Sequence, residues 1–187
     1  MLNRILIYIL SSFALIISCK KNDAEHWISF ENENVQILMI SKSDTLILEN
    51  LRFEVTWDKQ LIPNKKLGYL GGIKRMGIYK NDSLVNTFEN IEDAVGLGEI
   101  NITFYDFNMD GELDFSLPID MGKNRWNEYF IYNSEMNKFR HQTSWDYLRL
   151  QKINPNKKWI LSQPDGFDPR KIYFVSGDTL IYLKDMK

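Results

Sequence analysis

The sequence predicts an all-β protein, a single antiparallel β-sandwich or barrel-like domain with few short helical turns. Three observations carry this prediction. Apolar and polar residues alternate with a period of two in several short runs. Turn residues fall between those runs, as at Asn81-Asp82-Ser83 and Ser176-Gly177-Asp178. Helical periodicity is thin: only Ile91–Val95 and Trp145–Leu150 are compatible with a turn or two of helix, and neither is long enough to form a layer.

The strands follow in order. Val35 to Ile40 is the first run of strand length. In Arg52-Phe-Glu-Val-Thr-Trp57 the residues Phe53, Val55 and Trp57 alternate with Arg52, Glu54 and Thr56. Ile73 to Tyr79 is β-branched and aromatic, and Asn81-Asp82-Ser83 links it to Leu84-Val85. Ile100–Phe104 and Leu113–Leu117 repeat the two-residue period. Trp126 to Tyr132, Lys158 to Leu161 and Ile172 to Val175 complete the set, the last joined to Thr179–Leu183 as a hairpin through Ser176-Gly177-Asp178. Trp126, Tyr129, Phe130 and Tyr132 fall on both faces of their strand, which fits core packing with a second covered face, or an aromatic sugar platform.

Composition narrows the class. A chain of 187 residues is one domain's worth, and no linker, low-complexity run or fixed-period repeat interrupts residues 26–187. With 23 Lys and Arg against 25 Asp and Glu there is no basic excess, so no nucleic-acid partner is expected. One cysteine excludes an intrachain disulfide and a cysteine zinc site, and two histidines exclude a His-rich metal centre.

The amino-terminal end is different in character. Arg4 and the amino terminus are positive, Ile5 to Ile17 is mostly apolar, and Ser18 is small. That is the layout of a secretory signal, and it is shorter than the ~20 residues a membrane-spanning helix needs. Ile16-Ile17-Ser18-Cys19 resembles a bacterial lipobox, in which the cysteine is lipidated and becomes the new terminus. Two or three acyl chains at ~0.8 kcal/mol per buried CH₂ make a stable anchor. The competing readings are a short membrane helix and an ordinary signal with an incidental cysteine. On the lipobox reading residues 1–18 are a signal peptide, 19–25 a polar tether and 26–187 the domain. Lys20 stands where an inner-membrane retention aspartate would, so an outer-membrane lipoprotein is expected, facing the periplasm or the cell surface.

One segment carries chemistry: Asp106-Phe-Asn108-Met-Asp110-Gly111-Glu112-Leu-Asp114. Oxygen side chains stand at positions one, three, five and nine, and the carbonyl of Glu112 falls at seven. A hard cation such as Ca²⁺ takes six to eight oxygens at about 2.3–2.6 Å, which alternate residues of a curled loop can supply together. Gly111 suits the positive φ that reverses the chain. The expected metal ligands are therefore Asp106, Asn108, Asp110, Glu112 and Asp114, holding a structural calcium ion. Leu117 at position twelve and the flanking strands exclude an EF-hand. The loop resembles those set between strands in integrin-type β repeats, where the aspartate at nine closes the site. The alternative is a metal-free hairpin whose Asp and Asn side chains cap their own backbone.

With that loop in view, Ile102–Phe115 followed by Trp126–Asn133, Asn137-Lys-Phe139, Lys157–Ser162 and Leu180–Leu183 resembles a family of small bacterial envelope lipoproteins. They are related to a Xanthomonas immunity protein against a peptidoglycan hydrolase delivered by type IV secretion. The resemblance covers roughly residues 73 to 183. It implies a fold similar to periplasmic lysozyme inhibitors, an antiparallel β-sandwich, and a secreted peptidoglycan hydrolase as partner. Met109 stands where the usual loop has an aromatic residue.

The expected function is thus a non-enzymatic, lipid-anchored inhibitor or immunity-type binding protein. Met121–Arg125 and Gln163–Phe167 are candidates for a loop that enters a target's cleft. Two alternatives stand beside it: a calcium-stiffened structural or adhesive surface lipoprotein, and a glycosidase using carboxylates from Glu89, Glu92, Asp93 and Glu99. No assembled catalytic motif favours the enzyme, and His141 beside Arg140 is a lone histidine.

Overall fold

The computed structural model describes residues 26–30, 35–66, 68–89, 91, 95–96, 98–121, 124–146, 148–163 and 168–186. The leader, Cys19 and the tether lie outside the described residues. Fifteen strands are described: β1 (Ile28–Ser29), β2 (Gln36–Ile40), β3 (Asp44–Leu48), β4 (Leu51–Asn64), β5 (Gly68–Lys80), β6 (Ser83–Glu89), β7 (Val95–Gly96) and β8 (Ile100–Tyr105) in the first half. β9 (Asp114–Met121), β10 (Asn124–Asn133), β11 (Lys138–His141), β12 (Leu150–Asn154), β13 (Trp159–Ser162), β14 (Arg170–Ser176) and β15 (Thr179–Met186) follow.

The all-β class predicted from the alternation is what the chain forms, as three antiparallel sheets packed together. A central sheet runs β11-β10-β9-β8-β2. A long-strand sheet runs β3-β4-β5-β6, with β7 on β5. A C-terminal sheet runs β1-β12-β13-β14-β15. Helical structure among the described residues is limited to short 3₁₀ turns, including Thr143–Trp145 and Pro155–Lys157. The run at Trp145–Leu150 does not continue as helix. Trp145 closes its single turn and donates its indole N–H to the Asp178 carbonyl at 2.8 Å, and Leu150 already begins β12. Of Ile91–Val95, residues 92–94 lie outside the description and Val95 belongs to β7.

The hairpin turns are set by local chemistry. Asn81 and Asp82 sit at φ +49° and +61°, the two left-handed positions of the turn whose twist matches a β-hairpin, and Asn and Asp tolerate that region better than most residues. They bring Lys80 opposite Ser83.

Two cores share the central sheet. On one side Phe53, Ile73, Met76 and Ile78 of the long-strand sheet pack against Ile102, Phe104, Phe115, Leu117 and Phe130. There Phe115 and Phe130 stack with ring centroids 4.6 Å apart. On the other side Phe107, Tyr129 and Ile131 meet Trp145, Ile153, Ile160 and Val175. β10 makes this possible by sending Phe130 and Tyr132 to the first core and Tyr129 and Ile131 to the second, the ordinary alternation of a strand. All of these aromatics are buried, so they are packing residues, each worth roughly 1.5–3 kcal/mol of burial.

Candidate metal loop

The Asp106–Asp114 segment connects β8 to β9 at the edge where both cores meet. Its local geometry follows from its own side chains. The backbone N–H groups of Asp110 and Gly111 donate to the two carboxylate oxygens of Asp106, at 3.0 and 2.8 Å. The Asp110 N–H also donates to Asn108 Oδ1 at 3.2 Å, and the Glu112 N–H to Asp110 Oδ1 at 2.9 Å. These successive side-chain-to-backbone bonds curl the loop. Gly111 has φ +92°, as its position predicts, and Met109 has φ +59°, a left-handed residue that nothing in its side chain announces.

Asp114 sits at the bottom of the curl with none of its surface exposed. It accepts from the Phe107 N–H at 2.9 Å and from the Tyr132 N–H at 2.8 Å. Burial pushes its pKa well above the ordinary carboxylate value, and the charges of Asp110 and Asp106 push the same way, against the pull of its two backbone donors. Burial likewise raises Asp106, against the amides of Gly111 and Asp110. Among the described residues no Lys, Arg or His side chain pairs with Asp106, Asp110 or Asp114.

The expected ligands therefore share one loop, with differing orientations. Asp106, Asn108, Asp110 and Asp114 point into the curl or its base. Asn108 is buried and donates its side-chain amide to Asp110 Oδ2 at 2.8 Å. The Glu112 side chain turns outward to Lys80 Nζ at 2.7 Å, leaving its backbone carbonyl as the group expected to act in the loop. Among the described residues no three His, Cys, Asp or Glu side chains converge to metal-holding distance. The donor chemistry fits a hard cation nonetheless: three acidic side chains and an amide oxygen at alternate positions, with lone pairs left beyond the N–H groups they accept. The same oxygens serve the caps and would serve the cation, so the two readings of this loop are not exclusive.

Lys80 was not legible as part of this site. It stands at the end of β5, with its ammonium 3.8 Å from the Tyr132 ring centroid, and beside it a cavity of ≈ 260 Å³ is lined by Glu49, Lys80, Glu112 and Phe139 among others. Burial alone would lower the Lys80 pKa, but Glu112 and Tyr132 outweigh it and the net direction is upward. Only the folded pairing of remote strands brings these groups together, and no local signal marks them.

The other candidates are dispersed. Glu89 pairs with Arg75 at 3.6 Å, Glu99 is exposed, and Glu92 and Asp93 lie outside the described residues. His141 Nε2 meets the Asp146 carboxylate at 2.9 and 3.0 Å, its ring stacked on Phe130. Of the two candidate target loops, Gly122-Lys123 and Pro164–Phe167 lie outside the described residues. Against family models, curated proteins and solved structures the chain has no match.

Proposed function

We propose that the chain is a non-enzymatic binding protein of the bacterial envelope, anchored through lipidated Cys19 and stiffened by one calcium ion in the Asp106–Asp114 loop. The observation that carries the calcium reading is the set of neighbouring carboxylates Asp106, Asp110 and Asp114, one of them fully buried, with no cationic partner among the described residues. When bound, calcium supplies the positive charge that those carboxylates otherwise lack. Asp106, Asn108, Asp110, Asp114 and the Glu112 carbonyl would hold it, and the backbone donors from Phe107 and Tyr132 fix Asp114 beforehand. The inhibitor or immunity role against a peptidoglycan hydrolase rests on the family resemblance and the anchor.

Two measurements test this reading. Calcium at a hundredfold excess over its Kd should stabilise the chain by about 2.7 kcal/mol, and Asp110→Ala should abolish the gain. A melting temperature indifferent to millimolar calcium and to chelator overturns the calcium reading. Secreted hydrolases encoded beside this gene should lose activity in the presence of the chain, and full activity of all of them would overturn the inhibitor role.

A further inference from the structure

The C-terminal sheet presents an unusual outward face. Ile28, Ile153, Ile160 and Val175 of this sheet pack against the central sheet, so the alternate residues face away from it. The register aligns Asn154, Trp159, Phe174 and Ile181 in one row across four strands. Trp27, which precedes β1, extends that row by meeting Trp159 at a ring-centroid distance of 6.3 Å. Asn154 is fully buried, Trp27, Trp159 and Phe174 are half-buried, and Ile181 is 46% exposed. The Lys157 ammonium lies 4.5 Å from the Trp159 ring centroid. In the next row the register aligns Lys152, Leu161, Ile172 and Lys184, the two apolar members covered and the two lysines exposed at its ends.

Charge is distributed unevenly toward this sheet. Residues 149–187 carry eight Lys and Arg against four Asp, in a chain whose totals are 23 against 25. An acidic remainder joined to a basic final sheet is the kind of asymmetry that goes with an anionic surface. Tryptophans with an apolar body and a polar edge, next to lysines, are suited to the headgroup level of a bilayer.

The chain's entry point adds a geometric argument, which rests on the lipidation of Cys19 proposed above. The stretch from Cys19 to Trp27 spans at most about 29 Å when fully extended. Acyl chains at Cys19 therefore hold the β1 edge of this sheet close to the membrane, and the row begins at that edge. We infer that the end of this face formed by Trp27, Trp159, Phe174 and Ile181, flanked by Lys152, Lys157 and Lys184, rests on an anionic phospholipid surface, the neighbouring Leu161 and Ile172 being fully buried by the chain itself. The anchored domain then lies with this row on the bilayer, and the Asp106–Asp114 loop is carried on other strands of the body.

The test uses the full processed chain on vesicles of phosphatidylethanolamine and phosphatidylglycerol containing a brominated lipid. Bromine should quench tryptophan emission, and the double variant Trp27→Phe, Trp159→Phe should lose that quenching while remaining attached and folded by circular dichroism. Replacing phosphatidylglycerol by phosphatidylcholine, raising salt, or reversing charge with Lys157→Glu and Lys184→Glu should each weaken it. An attached chain without quenching, or quenching that survives the double variant, overturns the inference. Emission from Trp27 and Trp159 that shifts to the blue with protein concentration in the absence of vesicles assigns the face to a second copy, and overturns it too. Palmitate labelling reads the anchor separately: a chain without label refutes the lipidation, and quenching is then read with the unlabelled chain at rising concentration, where its absence again overturns the docking.

Discussion

The backbone amide of Tyr132 donates across 2.8 Å to the buried carboxylate of Asp114. With the Phe107 amide on its other oxygen, Asp114 joins the loop to β10 as well as ending it. Asp114→Ala leaves two buried N–H groups without acceptors, at about 1–3 kcal/mol each. The variant should be destabilised by several kcal/mol in urea unfolding with or without calcium. Asp110→Ala removes partly exposed caps and should cost much less in chelator. Equal losses for the two variants in chelator would refute the distinct role given to Asp114.

Lys80 and Glu112 connect the long-strand sheet to the loop at 2.7 Å. Lys80 is largely covered and lies over Tyr132, whereas Glu112 is more exposed, so solvent screening reduces the pair's value. Lys80→Met should destabilise by about 1 kcal/mol, part of it the contact with the ring. The loss should shrink as salt rises, and urea midpoints at low and high salt measure it.

Trp57 lies against the backbone at Gly71, where a Cβ would stand 2.8 Å from an indole carbon. That separation is inside van der Waals contact and Trp57 is buried, so Gly71→Ala forces ring or backbone to shift. A loss of about 1–3 kcal/mol is expected, with a change in tryptophan emission. Gly98, which lines a shallow cavity together with Trp57 and Gly71, would place a Cβ with no neighbour within 4 Å, but its φ of +99° strains Gly98→Ala through the backbone. Only the Gly71 variant should therefore perturb Trp57 emission.

Tyr129 is buried and donates its hydroxyl to the Leu148 carbonyl at 3.1 Å. Burial pushes its pKa up to about 12, the charge of Asp146 adding to the rise and the Asn127 side chain opposing it. An unfolded tyrosine loses its proton near pH 10, so between about pH 10 and 12 the unfolded state binds fewer protons than the native one. Stability contributed by the protonated group is complete below that window and falls by roughly 2–3 kcal/mol across it. Tyr129→Phe should flatten this part of the alkaline unfolding curve.

How far the sequence revealed the fold depends on what each strand faces. β4 and β8 are legible because their alternation separates core from outer residues, as with Phe53, Val55 and Trp57, and β9 keeps the same alternation although Asp114 and Ser116 are buried too. Tyr129–Tyr132 of β10 reads as a continuous apolar run because both faces of the strand are covered, which hides that it serves two cores. β11 and β12 are short and carry too few apolar residues to stand out, and Leu150, the first residue of β12, ends the run that resembles a helical turn. The extension of β4 and β5 beyond Trp57 is masked by Asp58-Lys59-Gln60 and Pro63. The proline is tolerated there because β3 pairs only as far as Val55, leaving that side of β4 without a ladder partner among the described residues. In the loop, spacing identified the oxygen side chains and Gly111. The roles of Tyr132 and Lys80 depend on sheet pairings that one stretch of sequence does not encode.

β1 supplies the first row of a sheet whose other four strands come from the last part of the chain, with Ile28 opposite Ile153 and Ser29 opposite Lys152. A growing polypeptide cannot close this sheet until nearly all of it has been made, and such distant pairings form slowly. This sheet consequently stays open at its β1 edge for as long as its C-terminal strands are withheld, whereas the central and long-strand sheets use no residue beyond His141. On the proposed reading of residues 1–18 as an export signal, closure of this sheet at β1 would wait until the last strands have crossed the membrane.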